Sequence, residues 1–292
     1  MRLADRVPAQ LFIVGSALIQ YVGAGLAVGL FSRIEPASVA WWRVLTAALI
    51  LLAWRRPWRE AWGRRDCVGS MIFGAFIITL NACFYEAIMR LPLGVAVSLE
   101  FLGPVSVAVI RGRGWEPRIA ALLAFAGVAS IGGLGLDIHE PGTITGIAWI
   151  LAAAAAWAGY ILIGQAIASK RSAVTNLSAS LGFASLLSAP LLAPAGIAAV
   201  GSWNVLGTLI IIGIVSTVIP FTLEAMAMAR LSAATFALFT ALLPATSALV
   251  GAVMLAQVPT PGELVGLVLI SIAVWIASAP PKPRHRPADL VS

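Results

Sequence analysis

"RLPLGVAVSLEFLGPVSVAV", residues 90–109, sets one carboxylate, Glu100, inside a run of otherwise apolar or small residues. Pro92 stands near its start and Pro104 follows the carboxylate by one helical turn. What such an acid is for depends on the medium around it, and composition decides that. Of the 292 residues, 60% are hydrophobic and only 11% are charged, with a mean hydropathy of +0.98. Soluble domains carry about a quarter of their residues as charges. This chain cannot cover a water-facing surface, so it is an integral membrane protein.

A membrane-spanning helix needs about 20 mainly apolar residues. Such stretches lie near 9–30, 37–54, 67–88, 93–110, 118–136, 143–165, 174–194, 204–226, 232–256 and 262–279. The sequence therefore predicts an all-α fold of ten transmembrane helices. Pro36, Pro92, Pro117, Pro141 and Pro261 stand beside predicted starts, where a missing N–H costs little.

The basic residues set the orientation. With the N-terminus inside, 16 of the 19 Lys and Arg fall in inner loops or at the termini, only Arg33 and Arg90 fall outside, and Arg43 lies within a span. That bias places both termini in the cytoplasm. The net charge of +7 thus reads as membrane orientation rather than nucleic-acid binding. Cys67 and Cys83 share one apolar segment and read as packing residues, not a disulfide framework or a metal site. The tail, 281–292, is polar and proline-rich and is expected to be disordered.

Shifted by 140 residues, the opening stretch meets "RLSAATFALFTALLPATSAL" (230–249). Arg90 falls on Arg230, Leu102 on Leu242, Pro104 on Pro244 and Ala108 on Ala248. A weaker match joins "GLFSR" (29–33) to the end of "GQAIASK" (164–170). Two units follow, 1–138 and 139–280, of five spans each. An odd number of spans inserts the second unit upside down. Inverted repeats of this kind are typical of secondary transporters, with the substrate site between the halves near the midplane.

The residues also carry a family likeness. "LPLGVAVSLEFLGP", "AAAWAGYILIGQ" and "STVIPFTLEAMAMARLSAATFALFTALLPATSALVGAV" resemble the drug/metabolite transporter superfamily, with two EamA-type repeats. Within it the chain is most similar to bacterial amino-acid exporters of the threonine/homoserine type. The resemblance covers nearly the whole chain. It implies proton-coupled export of a small amino acid across the bacterial inner membrane. It also implies a cavity walled by spans 1, 3, 4, 6, 8 and 9, with spans 5 and 10 at the periphery. A broader exporter of aromatic amino acids or drugs, or a passive facilitator, are the other readings.

Ionisable groups inside a span are expensive and usually face protein or a water-filled cavity. Glu100 lies roughly 12 Å from the outer end of its span by helical rise, close to the midplane. Pro104 leaves the Glu100 carbonyl without its helical donor, so a bend is expected there. The carboxylate either binds a substrate ammonium or a proton, or it is a neutral acid that fixes packing. Arg43 and Glu86 overlap in depth and read as an ion pair closing the outer side. The other reading has Arg43 snorkelling to the interface beside Trp41 and Trp42. Glu224, two places off the repeat equivalent of Glu86, reads as an inner gate with Arg230, Lys170 or Arg171, or as a solvated interfacial acid. Pro220 and Pro244 are further candidate bends.

Gln20, Asn81, Tyr85, Trp157, Tyr160, Thr217 and Thr240 lie on the spans that the resemblance places around the cavity. Asn81 and Tyr85 are four apart and share a face. Thr240 occupies the repeat position of Glu100. Each of these residues taken singly reads as packing before ligand; as a set they are harder to dismiss. Small residues, in "GLAVG" (25–29) and the alanine run before Trp157, let helices approach closely.

Several chemistries find no residues to carry them. There is no GxxxxGK[ST] loop for ATP. His139 and His285 are isolated, so neither a metal site nor a catalytic triad is expected, and no cofactor is implied. The expected partners are a small amino acid and the bilayer.

Cysteines introduced into loops 137–141 and 257–262 should be labelled by an impermeant thiol reagent from the periplasm. Those placed near 60 and 113 should label only after permeabilisation. Reversed labelling would overturn the orientation.

Overall fold

The computed structural model describes residues 8–111, 115–131, 136, 139–167, 173–194, 201–228 and 242–278. Among these residues every regular element is helical. The medium explains this: in hydrocarbon each backbone N–H and C=O must be satisfied within its own segment or a closed sheet. The helices are α1 (Ala9–Val28), α2 (Pro36–Arg55), α3 (Arg64–Ile88), α4 (Leu93–Glu100), α5 (Leu102–Arg111) and α6 (Glu116–Ser130). They continue as α7 (Thr143–Ile167), α8 (Ala173–Leu192), α9 (Trp203–Gly213), α10 (Ile219–Met228), α11 (Leu243–Leu255) and α12 (Pro261–Ser278). A short 3-10 turn, Pro57–Arg59, follows α2.

A described helix overlaps each of the ten predicted stretches, and of the ninth, 232–256, only the part from Leu242 is described. Among the described residues seven segments are long and apolar enough to cross a bilayer, and α11 and α12 contribute shorter apolar lengths. Pro36 and Pro261 are first helical residues, and Pro117 lies in the first turn of α6. Pro92 precedes α4, whose first N–H, that of Leu93, is instead capped across the molecule by the Gln257 side-chain oxygen at 2.9 Å. Gln257 is held there because Ala256 adopts a left-handed conformation (φ 54°), which ends α11 and turns the Gln257 N–H back onto the Gly251 carbonyl.

Among the described residues two of the predicted spans are interrupted. The fourth breaks at Phe101, between α4 and α5, one residue after Glu100. Pro104 supplies the cause, since it brings no N–H to the carbonyl one turn back. The eighth contains a π-helical turn, Ile214–Val218, between α9 and α10, with Pro220 just beyond it. Such turns widen a helix locally and collect at functional sites. Pro244, expected to bend the ninth span, lies in the first turn of α11 and bends no described helix.

α3 packs along α7 and α8, α2 along α8, and α1 along α10 and α11. α6 and α12 form a pair of their own, crossing so closely that a Cβ on Gly266 would lie 2.7 Å from the Gly127 carbonyl. Gly103 similarly brings α5 against the Ala154 carbonyl of α7. Without a hydrophobic drive between helices in lipid, such approach supplies the packing energy. Cys67 and Cys83 are free thiols.

Gly103→Ala should therefore cost about 1–3 kcal/mol, the range for overpacking. Gly207→Ala meets open space and should gain up to about 1 kcal/mol from helix propensity. Thermal unfolding in detergent should show midpoint shifts of opposite sign; a Gly103→Ala protein as stable as the parent would refute the close approach.

Candidate functional site

The break after Glu100 and the π turn at 214–218 face one cavity of about 330 Å³. α1 contributes Ile13, Gln20 and Tyr21, and α3 contributes Ile77, Leu80, Asn81 and Phe84. Glu100 enters from the end of α4, and Trp157 and Tyr160 from α7. Ser216, Thr217, Pro220 and Phe221 close the eighth span's side, with Leu243 from α11. Arg43 and Val44 of α2 and Leu177 and Leu181 of α8 also line it. The second and seventh spans thus belong to the cavity wall, which corrects the expected set; α6 and α12 contribute nothing to it.

The lining runs from mid-span toward one end. Ile13 and Leu177 lie within the first turn or so of α1 and α8, at the end where α7 finishes. The opposite end is filled by packed side chains, among them Ala27, Leu30, Ile34, Phe84, Ile88 and Leu91, all buried.

Arg43 is anchored twice at the cavity wall. Its Nε donates to Thr217 Oγ1 at 2.9 Å and one terminal nitrogen donates to the Ser216 carbonyl at 2.8 Å. Its guanidinium carbon lies 5.6 Å from the centre of the Tyr85 ring. Pro220, four residues after Ser216, has no N–H to offer that carbonyl. The proline makes an acceptor and the arginine takes it. An arginine at the bilayer centre costs about 2.5–3.5 kcal/mol on an insertion scale. Two hydrogen bonds from a charged donor, at about 1.5–3 kcal/mol each, offset that cost.

Both readings of Arg43 from the sequence are corrected here. It does not snorkel: Trp41 is buried with its Nε1 donating to the Ser185 carbonyl at 2.9 Å, and Arg43 reaches inward to the eighth span. Nor does it pair with Glu86. The Glu86 carboxylate binds Arg90 at 2.7 Å and accepts the Ala37 N–H at the start of α2 at 3.3 Å. Four residues of helix put Arg90 beside Glu86 on one face. The pair ties the end of α3 to α2, and Arg43 is left for the cavity.

Glu100 is partly exposed to the cavity. Among the described residues its carboxylate accepts no hydrogen bond and lies outside ion-pair distance of Arg43. The residue after it, Phe101, turns away from the cavity and packs edge-on to Trp157 at 4.8 Å between ring centres. The helix break therefore separates the two side chains, one toward the cavity and one into the core. Tyr160 stacks on Phe73 at 4.5 Å, and Asn81 donates to the Ile77 carbonyl at 2.8 Å.

Gln20, Asn81, Glu100, Trp157, Tyr160 and Thr217 thus meet at one cavity. Tyr85 does not: it is fully buried, beside Phe31 and Phe84 and under Arg43, so sharing a helix face with Asn81 was insufficient. Its hydroxyl and the Ser216 hydroxyl are buried and have no hydrogen-bond partner among the described residues. Ser216 was missed in the sequence, although Pro220 points to its carbonyl. Thr240, Arg230, Lys170 and Arg171 lie outside the described residues, as does the side chain of Glu224. No group of three or more metal-ligating side chains occurs among the described residues.

The profile of the EamA-like transporter family matches residues 144–279. Curated relatives include the threonine/homoserine exporter RhtA of Escherichia coli K12, 33% identical over 249 residues, which is 84% of this chain and 82% of that protein. RhtA of Salmonella typhimurium LT2 is 32% identical over the same coverage. A protein of known crystal structure shares the fold with a TM-score of 0.58, at 20% identity over 92% of this chain and 96% of its own.

Double-mutant cycles should separate the two arginines. Glu86→Gln and Arg90→Gln should couple in thermal unfolding by about 0.5 kcal/mol or more, as residues in contact do. Glu86→Gln and Arg43→Gln should add. Coupling in the second cycle but not the first would reinstate the Arg43–Glu86 pair.

Proposed function

Because the chain belongs to the EamA-like transporter family of the drug/metabolite transporter superfamily, we propose that it exports small amino acids of the threonine/homoserine kind across the bacterial inner membrane. It works as a secondary transporter by alternating access, coupled to protons. The ten spans form two inverted five-helix units with both termini in the cytoplasm.

One observation carries the choice of substrate: Arg43 and Glu100, of opposite charge, line the same mid-membrane cavity without pairing with each other. A free amino acid is a zwitterion with the complementary charges. Its carboxylate would meet the Arg43 guanidinium, which is a planar fork suited to it. Its ammonium would meet Glu100. In the absence of substrate a proton takes the place of the ammonium, which links the two movements.

Size argues in the same direction. About 330 Å³ lies at the lower end of ligand cavities, which span about 300–1,000 Å³. Gln20, Asn81 and Thr217 are placed to bond a side-chain hydroxyl. Trp157 and Tyr160 favour the second reading, a broader exporter that also accepts aromatic amino acids. Competition between threonine and phenylalanine for the same flux distinguishes the two.

Alternating access has its own structural support. Core packing fills the end that the arginine distribution assigns to the periplasm, while the cavity extends toward the cytoplasmic end. That is the form that takes up substrate from inside. Arg43 bonded to Ser216 and Thr217 holds α2 to the eighth span; a substrate carboxylate competing for the guanidinium loosens that tie.

The test is flux of labelled threonine and homoserine in proteoliposomes, with and without an imposed pH gradient. Accumulation that collapses with an uncoupler is expected; gradient-independent equilibration would establish a facilitator instead. Glu100→Gln should keep the protein folded and inserted yet abolish accumulation, leaving at most exchange. Glu100→Asp should retain partial function with a displaced pH optimum. A Glu100→Gln protein exporting at the parental rate and pH dependence would make Glu100 a packing acid.

A further inference from the structure

A second concavity lies on the outside of the bundle, away from the transport cavity. It is a groove of about 560 Å³ between α2 and α8. Its walls are Leu45, Leu49 and Leu52 on one side and Phe183, Leu186 and Ala189 on the other. Gly182 forms part of the floor, where a Cβ would press on Leu52 at 3.1 Å. The loop after α2 closes one end. There Trp58 and Trp62 both line the groove, and Trp62 is pinned by its Nε1 donating to the Pro57 carbonyl at 2.8 Å.

The groove offers a ligand almost nothing polar. Ser185 is its one hydroxyl, and that hydroxyl donates to the Leu181 carbonyl at 2.9 Å. The Ser185 carbonyl is taken by Trp41. A zwitterionic amino acid would lose its hydration here and gain no bonds, so this is not a second substrate site. The occupant must be a hydrocarbon chain. Along α2 the groove runs from Trp41 to Leu52, about 17 Å by helical rise, and along α8 from Ala179 to Ala189, about 15 Å. One leaflet of a ~30 Å hydrocarbon core is about 15 Å deep. A single extended acyl chain entering from the closed end matches the groove's length, its tip passing the midplane toward Trp41.

Charge specifies the other end of the ligand. Beside the closed end stand Arg56, Arg59, Arg64 and Arg65, all exposed, within a segment whose acids are Glu60 and Asp66. Asp66 Oδ2 accepts the Gly63 N–H at 3.1 Å, which fixes the start of α3 and the position of Arg64 and Arg65. Arg56 is held in a left-handed turn (φ 48°) with Nε on the Ala53 carbonyl at 3.3 Å. Basic clusters at the cytoplasmic ends of transmembrane helices attract anionic headgroups, and tryptophans settle at that interface. We propose that the α2–α8 groove and the 56–65 arginines together form a binding site for an anionic phospholipid of the inner leaflet. One acyl chain lies between Leu52 and Phe183, and the phosphate sits among the arginines.

The site touches the transport machinery without sharing its residues. α2 carries Arg43 on the cavity side and Leu45 and Leu49 on the groove side. The lipid would therefore brace the helix that holds Arg43.

Native mass spectrometry of the detergent-purified full chain tests this, with phosphatidylglycerol and phosphatidylethanolamine of identical acyl chains as the two probes. The parent protein should retain one phosphatidylglycerol in preference to phosphatidylethanolamine. Each arginine near an anionic headgroup strengthens attraction about fivefold, so Arg59→Gln with Arg64→Gln should cut the phosphatidylglycerol affinity about tenfold or more and leave phosphatidylethanolamine unchanged. Gly182→Leu and Ala189→Phe, which fill the groove at two places, should weaken both lipids. Equal retention of the two lipids by the parent protein would overturn the proposal, and that arm needs no variant to fold. So would a headgroup preference that survives the arginine substitutions. Undiminished binding in the groove-filled proteins would mean contact with the headgroup alone and would also overturn it.

Discussion

Arg43 bound to the Ser216 carbonyl is the interaction on which the centre of this molecule depends. Hydrocarbon contains no water to satisfy a stray backbone carbonyl, and Pro220 removes the donor that a regular helix would provide. The guanidinium resolves that problem and in turn is stabilised by it. Thr217 and the Tyr85 ring complete its surroundings. A charge that would otherwise be excluded from the midplane is thereby held at the wall of the cavity. Gly23 allows α1 to lie directly against Ser216, so three spans meet at this one point.

The same physics operates at Glu100 with the opposite outcome. Pro104 interrupts the fourth span, and the chain divides at Phe101. Phe101 is committed to Trp157, whereas Glu100 remains open to the cavity and accepts no hydrogen bond among the described residues. One charged group is thus held rigidly by the protein and the other is left for a ligand. That asymmetry is what the proposed zwitterionic substrate calls for: a carboxylate already satisfied by protein would bind neither ammonium nor proton strongly.

Glu86 and Arg90 illustrate why charges at similar depth need not pair. On one helix, four residues apart, they meet without any tertiary rearrangement, and Glu86 also caps α2. Arg43 would have had to compete with that local geometry from another helix. The end away from the cavity's opening is consequently fastened by a short-range pair and by packed aliphatic side chains. At the other end the loop after α2 sets exposed arginines beside an apolar groove.

Composition, hydropathy and the distribution of Lys and Arg were enough to read a multi-helix membrane protein and the position of its helices, because the bilayer imposes length and polarity residue by residue. The prolines marked both interruptions, since the loss of an N–H is a property of the residue itself. Glu100 stood out for the same reason: a carboxylate in an apolar run is conspicuous whatever surrounds it. Tertiary structure alone decided which neighbours each polar group meets. Tyr85 shares a face with Asn81 yet lies buried under Arg43, and α8, whose lining residues Leu177 and Leu181 are apolar, joined the cavity wall although nothing in its own sequence required it. Helix rotation and crossing set those contacts, and they follow from how small residues such as Gly23, Gly103 and Gly127 let whole helices approach. That is a property of pairs of surfaces, which no single stretch of sequence contains.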